Sequence, residues 1–220
     1  VFVTGATGTV GCAAVTHLLR LGQEVVAGVR DEATAMGLPA GAVGRPFDFA
    51  DPPGALRAAL AGCDRLFLMR PPAIADVQTY LFPLVDAAKD VGVRQVVFLS
   101  LQGVQMNRGT PHHAVEAYLR RQDAPYTFLR PNFFMQNLST TYAAEIREHD
   151  RLFIPAGSSR TAFIDARDIG RVAAAVFTSG GHVRKAYTLS GEQSLTYADV
   201  ARTMSRVLGR TITYARPSED

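Results

Sequence analysis

Three glycines fall within eight residues in Thr4-Gly5-Ala6-Thr7-Gly8-Thr9-Val10-Gly11, and the placement of that loop constrains the chain more than anything else in it. It follows an apolar strand signal over 1–4 and precedes a stretch that sets Val10, Ala14, Leu18 and Leu21 on a helical period. A strand that turns sharply into a helix through glycines is the phosphate-binding unit of dinucleotide folds. Gly5 can turn the chain, Gly8 removes a side chain where a pyrophosphate must approach the backbone, and Gly11 is expected to let the helix pack close to the sheet. The amino end of the helix then offers free N–H groups and a positive dipole to phosphates. The alternative is a glycine-rich turn with no ligand.

The rest of the chain supports that setting. Strands are expected at 1–4, 24–29, 45–48, 65–69, 95–100 and 126–130, with helical-period stretches between most of them, and no internal repeat is visible. Six such strands predict an α/β fold, a doubly wound parallel sheet of the Rossmann type, over 1–130. After Arg130 the rhythm changes. Helices are expected at 132–149, 168–177 and 197–208, and extended segments at 160–164, 186–189 and 211–216, with Thr196 as the cap of the last helix. This second part, 131–220, is read as a small C-terminal substrate lobe interleaved with the sheet. An opening at Val1 without Met and a Pro-Ser-Glu-Asp end are read as a chain trimmed at both ends, whose native form extends beyond 220.

Two further strand ends carry candidate ligand contacts. At Val29-Arg30-Asp31, an acidic residue would accept hydrogen bonds from a free ribose 2′-hydroxyl, whereas Arg30 pairs with a 2′-phosphate. NADP(H) is favoured over NAD(H), although Asp31 reverses the preference if the strand runs one residue longer. In Phe47-Asp48-Phe49-Ala50-Asp51, Asp48 can accept from the adenine amino group and Phe49 can lie against the ring. The same residues also read as a loop that starts a helix.

Several segments together resemble the NmrA-like branch of the atypical short-chain dehydrogenase/reductases. They are TGATGTVG at 4–11, VVAGVRD at 25–31, VVFLSLQG at 96–103, PYTFLRPNFFMQN at 125–137, FIDARDIGRVAA at 163–174 and YTLSGEQSLTYADVA at 187–201, in the family's order over nearly the whole chain. The resemblance implies a Rossmann domain holding NADP(H) and a lobe that shapes the substrate pocket. It implies that Gly5, Thr7, Gly8, Thr9 and Val10 hold the pyrophosphate and Arg30 the 2′-phosphate. By the same resemblance Met69, Arg70 and Pro71 line the ribose and nicotinamide path, while Pro131, Asn132 and Phe133 lie beside the nicotinamide. Asp165 and Asp168 are expected to brace the lobe.

One departure from the wider family is informative. Its alcohol–ketone reductases use a Tyr four residues before a Lys, because the alkoxide left by hydride transfer needs a proton from an activated phenol. Here the corresponding frame is Arg108, His112 and Glu116, and Tyr118 is followed four residues later by Gln122. Ordinary carbonyl chemistry and nucleotide-sugar epimerisation are thereby disfavoured. An electron-poor acceptor such as a quinone or azo compound accepts hydride without that pair, its proton coming from water, Ser100 or His112. His112 also reads as a ribose-binding residue, and Ser100 as a strand-end turn former. The resemblance is to quinone and azo-type reductases of the branch, several of which carry a His four residues before a Glu at this place.

Two functions fit these residues: an NAD(P)H-dependent oxidoreductase acting on a small-molecule substrate, and a non-catalytic NADP(H)-binding redox sensor of the NmrA type. The net charge of +3 comes from 23 basic and 20 acidic residues without a basic block, so no nucleic-acid partner is expected. No apolar run approaches the ~20 residues of a membrane helix. Cys12 and Cys63 both lie in segments read as interior, so no disulfide is expected and a reducing cytoplasm is the expected compartment. His113 turns away from His112, and no ligand spacing suggests a metal. His17, His149 and His182 are isolated. Phe128, Phe133 and Phe134 are expected to divide between core and pocket wall.

Overall fold

The computed structural model describes residues 1–216; the Pro-Ser-Glu-Asp end lies outside the described residues. In chain order the first half contains β1 (Phe2–Val3), α1 (Thr9–Arg20), β2 (Val26–Val29), α2 (Glu32–Ala35), β3 (Val43–Pro46), α3 (Pro53–Leu60), β4 (Arg65–Met69), α4 (Val77–Tyr80), α5 (Phe82–Asp90) and β5 (Gln95–Leu99). It continues through α6 (Pro111–Arg121), β6 (Tyr126–Pro131), α7 (Ala143–Glu148), β7 (Arg151–Phe153), β8 (Arg160–Thr161), α8 (Ala166–Thr178), β9 (Lys185–Leu189), β10 (Leu195–Thr196), α9 (Tyr197–Leu208) and β11 (Thr213–Ala215).

These elements fall into two compact units, and the first, Val1–Pro131 with Arg167–Leu189, holds a seven-stranded sheet in the order β3-β2-β1-β4-β5-β6-β9. Every pairing in it is parallel, with Phe2 opposite both Val26 and Leu66. Parallel strands covered on both faces read as unbroken apolar runs, as in Leu66–Met69 and Val96–Phe98, which are buried throughout. Phe2, Leu56, Leu66, Leu68, Leu84, Phe98, Leu119 and Phe128 are fully buried in one core cluster. On α1 and α8 the helices meet at Gly170, where a Cβ would stand 2.6–2.7 Å from Ala13 and Ala14. Phe177 of α8 packs edge-on against Phe67, with ring centroids 6.2 Å apart.

The second unit comprises Asn132–Ala166 and the chain from Ser190. It contains two small sheets, β10 antiparallel to β8 and β11 parallel to β7, around a core of Ile146, Leu152, Ile154, Phe163, Tyr197, Val200, Ala201 and Ile212. Thr196 caps α9 as expected: its hydroxyl accepts from the Asp199 amide, and the Asp199 carboxylate accepts from the Thr196 amide.

The structure departs from the expected elements in three places. The expected lobe helix 168–177 and strand 186–189 belong to the first unit, as α8 and β9. The stretch 132–149 is not one helix: Phe134 bridges Ile164, a 3-10 turn covers Met135–Ser139, and only Ala143–Glu148 is α-helical. In that turn the hydroxyls of Ser139 and Thr140 both donate back to the Gln136 carbonyl. The third strand runs over Val43–Pro46 rather than 45–48, because Asp48 already belongs to a tight loop. Its amide donates to Asp51 and its carboxylate accepts from the Ala50 amide. Pro46 is tolerated because β3 is an edge strand.

Candidate cofactor and active site

The glycine loop leaves β1 in a left-handed turn at Gly5, whose φ is +58°. Gly8 N–H donates to the Gly5 carbonyl at 3.0 Å, and the first bond of α1 runs from Cys12 N–H to Gly8. The amides of Thr9, Val10 and Gly11 therefore form the donor end of the helix, which has no acidic residue in its first turn and no side chain capping it. A Cβ at Gly11 would collide with the Gly5 carbonyl and the Ala6 backbone, so its missing side chain lets the first turn of α1 approach the residues that leave β1. Thr4, fully buried, ties the loop to β4: its hydroxyl accepts from the Met69 amide at 2.7 Å.

In the first unit a cavity of about 380 Å³ opens beside this loop, lined by Gly5, Thr7, Gly28, Val29, Arg30, Thr34, Phe47, Asp48, Phe49, Pro71, Ala73 and Ile74. Six expected site residues thus converge: Gly5, Thr7, Arg30, Asp48, Phe49 and Pro71. Asp31 does not compete with Arg30, because its carboxylate caps α2 by accepting from the Thr34 amide at 2.7 Å. The side-chain and backbone hydrogen bonds from Thr34 hold that carboxyl below its usual pKa. Asp48 keeps one oxygen free of the loop bond to Ala50. Phe49 is buried edge-on to Phe47, with centroids 4.9 Å apart. Gly28 lines the cavity too and was legible only as a glycine inside a strand, where a Cβ would press on Phe2 and Phe47.

The remaining candidates lie elsewhere. Met69 is buried beneath Gly5. The Arg70 side chain turns to the backbone of its own loop. Pro131 ends β6 in the first unit, whereas Asn132 and Phe133 open the second. There the Asn132 side chain accepts from the Phe133 amide, and the Phe133 ring packs on Phe163, Tyr142 and Tyr197. Asp165 accepts from Gln136, and Asp168 pairs with Arg171 on α8. Phe128 lies wholly in the core.

Ser100, at the carboxyl end of β5, is buried and donates its hydroxyl to Glu116 at 2.7 Å. Glu116, 1% exposed, also receives a bidentate pair from Arg130 at 2.9 and 2.6 Å. Those hydrogen bonds raise the Arg130 pKa. One turn earlier on α6 stands His112, whose pKa is pushed down to about 4 by burial and then by the charge of Arg70, against the opposing pull of Glu116. Its imidazole is neutral at pH 7. Tyr118 is removed from proton chemistry: it stacks on Phe82, donates to Asp86 at 2.6 Å, and is pushed up to about 12 by burial and that bond.

Comparison with known proteins gives the family and its cofactor. The chain is 36% identical over 220 residues to an NAD(P)H azoreductase of Xenophilus azovorans, covering 97% of this chain and 76% of that protein. It is similar in structure to the NADPH-dependent quinone oxidoreductase of Escherichia coli complexed with NADPH, with a TM-score of 0.88 and 28% identity across 99% of this chain and 78% of that one. The triphenylmethane reductase of a Citrobacter species complexed with NADP(H) matches with a TM-score of 0.86 and 27% identity, over 99% and 79% of the two chains. The family model of the NmrA-like family matches residues 1–220, and the chain belongs to that family.

Proposed function

We propose that this protein is an NADPH-dependent reductase that passes hydride to a flat, electron-poor small molecule of the quinone or azo class. The observation that carries the reading is the single cavity joining the glycine loop to Arg30, with the neighbouring Asp31 engaged as a helix cap. The residues present fit the dinucleotide. Gly8 leaves the backbone bare for a pyrophosphate, the amides of Thr9 and Val10 supply donors, and Arg30 supplies the fork for a 2′-phosphate. Asp48 and Phe49 offer an acceptor and a ring edge for adenine. Bound NADPH would supply the hydride; the chain's own residues govern the proton.

No described residue replaces the Tyr and Lys of alcohol-forming relatives. The hydroxyl hydrogen of Ser100 is directed to Glu116, so toward a ligand Ser100 acts as an acceptor. His112 holds its proton at a ring nitrogen as a neutral donor, able to orient an acceptor oxygen or nitrogen without delivering charge. Water completes the protonation of an already electron-rich product. Such chemistry suits a quinone, whose reduced form is a stabilised phenolate, and an azo bond whose nitrogen takes its proton from water as hydride arrives; simple ketones are disfavoured by the lack of the Tyr and Lys pair. Cys12 and Cys63 are free thiols. No helix among the described residues is long and apolar enough to cross a membrane.

The test is NADPH oxidation with a panel of small quinones and azo dyes beside an aliphatic ketone. Turnover of quinones or dyes without turnover of the ketone is expected. Tight NADP(H) binding with no oxidation by any acceptor would instead assign the protein to the sensing role.

A further inference from the structure

We propose that Arg70 is a positioning residue that shapes the adenine side of the cofactor cavity through the backbone of residues 71–74, and is not a ligand of the nicotinamide half. The inference rests on the NADPH reading above. Arg70 follows β4 directly and is succeeded by Pro71 and Pro72, which have no N–H to donate. Within 71–74 the loop's own bond is Ile74 N–H to the Pro71 carbonyl, at 3.0 Å. The guanidinium supplies what the prolines lack. Its Nη1 stands 3.0 Å from the Pro71 carbonyl, 3.1 Å from that of Pro72 and 2.5 Å from that of Ile74. One charged nitrogen thus reaches three carbonyls of the loop, sharing that of Pro71 with the Ile74 amide.

The consequence lies in what those residues line. Pro71, Ala73 and Ile74 form part of the cavity wall shared with Arg30, Asp48 and Phe49, whereas Arg70 itself does not line the cavity. Its Nε is buried without a hydrogen-bond partner among the described residues, so the base of the guanidinium is sealed while its tip is spent on the loop. The wall therefore depends on a side chain that stands behind it.

The experiment is calorimetric titration of NADPH and of adenosine 2′,5′-bisphosphate, which carries only the adenine half, into the wild type, Arg70→Gln and Arg70→Lys. Arg70→Gln is expected to weaken both ligands by the same factor, about tenfold, as befits loss of a charged donor. The KM for NADPH rises with it. Arg70→Lys, with a point charge in place of the fork, shows a smaller loss shared equally by the two ligands. If Arg70→Gln does not fold, the comparison on the lysine variant decides. Weaker NADPH binding with the bisphosphate constant unmoved, or a fall in kcat with KM unmoved, places the guanidinium on the nicotinamide half and overturns the proposal. Equal binding across all three proteins also overturns it. A wild type that binds neither ligand overturns the NADPH reading itself, a separate result.

Discussion

Arg30 and Asp31 are adjacent in the chain and opposite in charge, yet the structure gives them unrelated tasks. Asp31 caps α2 through Thr34, and Arg30 is the charge we propose for the 2′-phosphate. Arg30→Ala is expected to raise the Kd for NADPH about 10- to 100-fold, with a change under about threefold for NADH, as measured by titration of both. The buried Glu116 sets a second expectation. Glu116→Gln removes the negative charge that faces Arg130 and Arg120 from a side chain 2% exposed, and urea unfolding should show a loss of about 3 kcal/mol. Ser100→Ala, which removes only a hydroxyl bond, should cost about 1 kcal/mol. His112 carries the pH dependence. Its folded pKa of about 4 lies below the ordinary 6.5, so above 6.5 it is neutral in both states and contributes no slope. Between 6.5 and about 4 the unfolded chain binds the extra proton, and stability falls as pH falls. Melting temperatures of His112→Gln should decline less than those of the wild type across that window, and wild-type turnover should show no histidine inflection near neutrality. The place of Arg30 on the cavity wall was legible in the sequence because the second strand of a glycine-loop fold ends beside that loop. The tasks of Arg70 and Ser100 were not, since each is set by a partner distant in sequence or by a carbonyl that leaves no mark on it.

Among the elements, the alternating pattern of the sheet was readable because parallel strands buried on both faces must be apolar throughout, and strands β4 to β6 stand within a residue of their expected ranges. What the pattern missed was 132–149, where Phe134 bridges Ile164, a pairing distant in sequence that a helical period does not reveal. Two glycines test how the elements fit together. Gly11→Ala puts a methyl into the Gly5 carbonyl, and because the opposing atoms are backbone the loop itself must open. The expected result is loss of NADPH binding greater than about tenfold together with a lower melting temperature. Gly170→Ala presses on Ala13 and Ala14 of α1 at 2.6–2.7 Å. It should destabilise by about 1–3 kcal/mol in urea while leaving the loop's φ at Gly5 intact, a split that binding and unfolding measurements on the two variants will display.

For the whole molecule, the decisive fact is that the first unit is discontinuous: α8 and β9 return to the sheet after the second unit has been built. A chain ended at Arg130 lacks the β9 partner of β6 and the Phe177 that covers Phe67. Such a truncated chain is expected to be insoluble, or to give collapsed amide dispersion in NMR spectra, although it retains every residue of the glycine loop. The change of rhythm after Arg130 was visible in the sequence, but the return was not, because a strand carries no label for the sheet that will receive it. The same return sets an order on events at the ribosome. The loop and the first six strands emerge early, and β6 then presents an open edge while the whole of 132–166 is still being made. Only when residues 185–189 arrive can Thr127 meet Lys185 and Pro131 meet Leu189. Completion of the sheet thus waits on a contact of high sequence separation, which makes folding slow and leaves the nascent chain exposed to chaperones and to strand exchange at that one edge.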